Sequence, residues 1–180
     1  MLALGVVAVS GCGTNANAAN CSTSVAEVAN TAIAKTQYQA LLTYTLAFAE
    51  KANTQSQFYG KNICHDAALA RDCASIKRDL QSRMIDQQIV SDYAAKHGLL
   101  PDGADWNKAL RAEAQIVKKA GGETAFLALL AKLGTDEAQF RWIESQQIET
   151  DKVIKAMGSV KFHTWLRGQE SSSAVVRCPV

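Results

Sequence analysis

Residues 80–99 read LQSRMIDQQIVSDYAAKHGL, and residues 121–153 read GGETAFLALLAKLGTDEAQFRWIESQQIETDKV. In the first stretch Leu80, Met84, Ile85, Ile89 and Tyr93 recur at three- and four-residue steps, and Ile76 extends the stripe upstream. That spacing predicts an amphipathic helix over 74–97. Gly98 supplies the left-handed residue that stops it, with Pro101 just beyond. In the second stretch Phe126, Leu129, Leu130 and Leu133 fall at i, i+3, i+4 and i+7, which predicts another helix, closed by Gly134. Thr135 reads as the cap of a fifth helix, with Asp136 and Glu137 in its first turn. Phe140, Ile143, Ile148 and Ile154 carry that helix to Met157. Between the two stretches, Trp106, Leu110, Ala114 and Val117 predict a helix over 104–120, with these four on one face.

Upstream, Thr36 and Gln39 fit a capping box, and Tyr38, Leu41, Leu42, Leu46 and Ala49 form the apolar stripe of a first helix ending near Asn53. Val25–Val28 reads as a short strand, and Phe58–Cys73 as an irregular connection. The 180 residues contain only two prolines and eleven glycines, and no internal repeat or long linker breaks 25–180. The expected fold is all-α: one compact bundle of five to six helices, with a small two-stranded β element joining the N- and C-terminal ends.

The net charge is +2, and no basic run is interleaved with aromatics, so nothing calls for nucleic acid. The N-terminal LALGVVAVS is apolar and runs into Ser10-Gly11-Cys12, a pattern similar to the lipobox of bacterial lipoproteins. Cys12 is therefore the expected lipidation site and the link to a membrane. Residues 1–11 read as the signal peptide, 12–24 as a small polar tether, and 25–180 as the folded domain. No Lys or Arg precedes the apolar run, so the start lies upstream or the signal is shortened. Setting Cys12 aside leaves Cys21, Cys64, Cys73 and Cys178, an even number that suggests two disulfides in an exported protein. Of three possible pairings the nested one is favoured, since Cys64 and Cys73 flank one short segment while Cys21 and Cys178 flank the domain.

The chemistry of an enzyme is hard to find. His65, His97 and His163 lie on three elements, none with a nucleophile and carboxylate at motif spacing. Asp86, Asp92 and Asp136 fall on helix faces read as solvated and form no acid–base pair. Gly121-Gly122 lacks the Lys-Ser/Thr of a phosphate loop, and the cysteines lack paired CxxC spacing for zinc. No cofactor or metal is implied. Most of the large apolar residues read as core. Met84, Tyr93, Phe140 and Trp142 are the candidates for contact with a protein client, Trp142 foremost because it sits beside the Phe140–Ile143 stripe.

The order of these elements resembles the helical N-terminal domain of the SurA-type periplasmic chaperones. The carriers are a long helix with a MIDQQIV centre and an AAKHGL stop, Gly-Gly before a Phe-Leu-Leu helix, and Gly-Thr-Asp-Glu before a Phe-Arg-Ile helix. The resemblance covers roughly 25–157. Val25–Ile33 is similar to the VNGxxI element that opens such domains, with Thr31 where the family has glycine and Asn30 available for positive φ. Many relatives carry a parvulin isomerase domain of roughly a hundred residues after the last long helix. Here Met157-Gly158 leads directly into VKFHTWLRGQESSSAVVRCPV, similar to the family's closing helix and strand. The resemblance implies that Ala174–Val176 pairs with Val25–Val28, bringing Cys178 near Cys21. It also implies a non-catalytic, extracytoplasmic, ATP-independent holdase for unfolded exported proteins. The runner-up is an adaptor dedicated to one exported partner.

Overall fold

The structure is a computed structural model that describes residues 20–172 and 174–180. Its framework is set by a long central helix. Ala70–His97 (α2 in chain order) turns Leu80, Met84, Ile85 and Ile89 inward, and Ile85 is fully buried. Gly98 ends it in the left-handed region at φ 66°, as the sequence predicts. Around it lie α1 (Lys35–Ala47, continued by a π-helical turn over Phe48–Ala52), α3 (Gly103–Ala120), α4 (Glu123–Lys132), α5 (Glu137–Met157) and α6 (Ser159–Glu170). α1, α5 and α6 pack against α2, and α4 packs on α3.

The all-α reading holds, but the β element has three strands instead of two. Its order is β2 (Thr31–Ala34), β1 (Ser24–Val28), β3 (Val175–Arg177), antiparallel throughout. The β1–β2 hairpin turns on Ala29 and Asn30, at φ 47° and 71°. Both central residues of such a turn need positive φ, so Asn30 does take the place of the expected glycine. The closing strand pairs as expected: Val175 lies opposite Val28 and Arg177 opposite Ala26.

Two disulfides close the chain: Cys21–Cys178, 157 positions apart, and Cys64–Cys73, nine apart. That is the nested pairing. Beside the first, Gln81 on α2 is only 5% exposed and donates from Nε2 to the carbonyls of Val25 and Cys178, 2.6 Å each. This one amide ties the central helix to both terminal strands. A buried polar side chain is stable only when so satisfied.

The β1–β2 hairpin, α1 and α2 form the main core, and Val90, Ala94, Val153 and Phe162 form a second cluster between α2, α5 and α6. Gly134 lets α1 come close: at φ 68°, a Cβ there would stand 2.7 Å from Thr43 Cγ2. Two of the expected caps differ. Thr36 does not cap α1, because β2 runs straight into the helix from Ala34 and the carbonyl of Thr23 takes the Lys35 N–H at 2.8 Å. Thr135 does not cap α5; Asp136 does, accepting the Gln139 N–H at 2.8 Å. A carboxylate there also meets the positive end of the helix dipole. Leu129, expected in the α4 stripe, faces solvent, while Phe126, Leu130 and Leu133 are buried.

Candidate functional site

α3 is the most strongly amphipathic helix of the fold, yet no residue of it is buried. A helix with one apolar stripe ordinarily hides it against a core. Here Trp106 and Val117 are half-buried, Ala114 is exposed and Leu110 is 46% exposed. The sequence puts these four on one apolar face, and among the described residues no element covers it fully.

Polar ties hold α3 beside α5. At its start, Asp102 and Asp105 form a capping box, and Lys152 of α5 reaches Asp105 Oδ2 at 2.6 Å, Asp102 Oδ2 at 3.2 Å and the Leu100 carbonyl at 3.0 Å. The backbone N–H of Asp105 and the Lys152 ammonium hold the Asp102 carboxyl below the usual carboxylate range. Lys152 does the same for Asp105, and in return its own pKa is raised. Halfway along, Arg141 of α5 meets Glu113 of α3 at 3.5 Å and its own-helix neighbour Glu137 at 2.5 Å. Exposed pairs of this kind are individually weak.

Between these ties lies a cleft of about 430 Å³, walled by Trp106, Ala109 and Leu110 from α3 and by Ala138, Trp142 and Ser145 from α5. It continues past Arg141 into a second depression of about 310 Å³ that includes Val117, Phe126 and Leu127, the last 42% exposed. The depression on the other side of the α3–α5 pair differs in kind, being lined by Lys108, Asp151, Lys152 and Lys155. The first cleft thus combines an apolar floor with a few polar groups at its rim, the ordinary character of a site for apolar ligands.

Of the four residues singled out for client contact, the structure brings one into this cleft. Trp142 lines it, but the residue is half-buried and packs against the main core, not free on the surface. Met84 is 6% exposed within that core, because its position on α2 faces the hairpin. Phe140 meets Phe126 edge-to-face at 5.4 Å and braces α4 on α5 without lining the cleft. Tyr93 lies elsewhere, stacked on His97 at 4.0 Å and edge-on to Trp165 at 4.9 Å. The wall residues not expected to meet a client are Trp106, read from the sequence as core, and Leu110, read as part of the apolar face of α3. Cys12 lies outside the described residues. Among the described residues no group of three or more His, Cys, Asp or Glu side chains is placed to hold a metal ion.

Trp142→Ala is accordingly expected to lower stability as well as client binding. Removing a half-buried indole from the edge of a core costs about 1–3 kcal/mol. Thermal unfolding checks this, and an unchanged Tm would put the side chain outside the packing.

Asp86 also departs from its expected solvated setting. It is half-buried on α2, where burial and the neighbouring Glu170 carboxyl push its pKa up to about 7, partly offset by Arg177. The folded protein thus keeps a proton that the unfolded chain releases above about pH 4. Its contribution is present below that pH and is lost as pH rises through about 7. Thermal melts should give a higher Tm at pH 5.5 than at pH 8. Asp86→Asn, the neutral isostere, should flatten that slope; a slope unchanged in the variant would assign it to other groups.

A family model described as a SurA-like N-terminal domain matches residues 1–154. No curated protein and no solved structure matches the chain.

Proposed function

The chain belongs to the SurA-like N-terminal domain family, and from that premise we propose that it is an extracytoplasmic, lipid-anchored holdase that binds apolar segments of unfolded exported proteins without ATP. Domains of this family are chaperone-type modules, not catalytic ones, and they work outside the cytoplasm. No helix of the described residues is long and apolar enough to cross a membrane. In this reading residues 1–11 are a signal, Cys12 carries the lipid, the polar stretch after it is the tether, and the helical domain holds clients.

The observation that carries the proposal is the uncovered apolar face of α3 opposite Trp142. Burying apolar surface there gains roughly 25 cal/mol per Å² removed from water. A modest contact area, set against the entropy of ordering a flexible client, leaves weak and reversible binding. That suits a chaperone with no energy source for release.

The test is aggregation of a chemically unfolded protein followed by light scattering. The purified domain should slow it without ATP, and should not speed prolyl isomerisation of a short peptide. Protection of no client at several-fold molar excess would sink the holdase and favour the dedicated adaptor. The anchor is tested separately: Cys12→Ala should leave the membrane fraction, and unchanged partition would remove the lipid from the scheme.

A further inference from the structure

Among the described residues, the backbone pairing of the small sheet leaves the β2 edge open beside the cleft. Cys178 N–H donates to the Val25 carbonyl and Ala29 N–H to the Ala174 carbonyl. Antiparallel ladders alternate, so the backbone groups of Val25, Glu27 and Ala29 turn toward β3. Those of Ala26 and Val28 therefore turn toward β2, opposite Ile33 and Thr31. Ala32 lies opposite Glu27, and its N–H and C=O consequently point away from β1 along the outer edge of the sheet. Its side chain is exposed.

Next to that edge is a cavity of about 170 Å³ between β2, α2 and α5. Its polar lining is Gln37, Gln87, Gln88, Gln146 and Ser91, with Trp142 as an apolar wall. Among the described residues no charged side chain lines it. Side-chain amides offer the same donors and acceptors as a peptide group, and a site without charges favours a neutral polar occupant over an ion. Trp142 also walls the α3–α5 cleft, so the two sites adjoin across one shared indole.

We propose that the outer edge of β2 and its glutamine-lined cavity form a second client subsite, which takes an extended, uncharged stretch of client backbone as an added strand. This rests on the reading of the cleft as the client site. Apolar side chains of the client enter between α3 and α5, and the chain beyond Trp142 pairs with Ala32. Backbone pairing is independent of sequence, so the subsite adds affinity for unfolded chains without narrowing the choice of client. An unpaired edge is otherwise a hazard, tolerable here because β2 has only four residues.

The probe is a reduced, carboxymethylated protein that stays unfolded in buffer. With this probe bound to the wild-type domain, amide exchange of Ala32 measured by NMR should slow at least tenfold. Unchanged exchange at saturation would overturn the proposal. Ala32→Pro removes the outward N–H at an edge position that can accept proline, and should weaken probe binding about tenfold. If Leu110→Lys releases the probe while a folded Ala32→Pro variant binds it normally, the edge subsite falls and the cleft stands. Loss of probe binding by neither variant removes both. Protection of Ala32 without probe that grows with protein concentration would overturn it too, assigning the edge to a second copy of this chain.

Discussion

Replacing Cys21 and Cys178 together by serine is expected to destabilise the protein by about 4–5 kcal/mol, as an upper figure from chain entropy. The bond closes a separation of 157 positions, so it removes far more freedom from the unfolded chain than Cys64–Cys73, which spans nine. The same relation gives the shorter bridge about 2–3 kcal/mol. Structure reinforces the difference. β3 has only three residues, and such a strand is marginal alone. Its retention depends on pairing with β1, on the Gln81 amide and on the disulfide at its end. For a domain of this size 1 kcal/mol moves Tm by about 2–4 °C, so the double variant should melt roughly 10–15 °C lower. Denaturant titration measures the free energy, and peptide mapping without reductant checks the connectivity. A loss no larger than that of the Cys64/Cys73 double variant would mean that the terminal strands are held by packing alone.

Leu110→Lys is expected to abolish most client binding while leaving stability within about 0.5 kcal/mol. Leu110 is 46% exposed on a helix with no fully buried residue, so a longer polar side chain can extend into solvent in the free protein. In the complex the same change places a charge where an apolar client segment must lie. Losing one buried leucine contact alone is worth about 1.5–3 kcal/mol, roughly a ten- to hundredfold change in affinity. Desolvating the ammonium adds to the loss. Fluorescence titration of Trp106 and Trp142, which flank the position, reads binding directly. An affinity within threefold of wild type would move the client site off this cleft.

Trp142 and Leu110 show why the cleft was only half legible. Trp142 stands beside a clear stripe, and that adjacency marked it for contact, but nothing in the local pattern shows that its indole also leans on the main core. Leu110 belongs to a regular stripe on α3, and a regular stripe reads as buried. The pattern reports that a face is apolar and is silent on whether another element arrives to cover it. Asp86 and Gln81 follow the same logic. Both look like ordinary polar positions on a long helix, and only the return of α6 and β3 past α2 buries one beside Glu170 and sets the other between two carbonyls.

The sequence by itself determined what is decided within a few residues, the amphipathic helices and the stop at Gly98, while the turn at Asn30 and the closing strand followed from the family resemblance. The helices and their stop depend on periodicity and backbone conformation, which are local. The cap of α1 escaped because a carbonyl from Thr23, twelve residues before Lys35, supplies it. Only the tertiary structure decided that α3 stands off on ion pairs from Arg141 and Lys152 with its apolar face open, while α5 and α6 close on α2. Burial is a property of two surfaces meeting, and a sequence pattern describes just one of them.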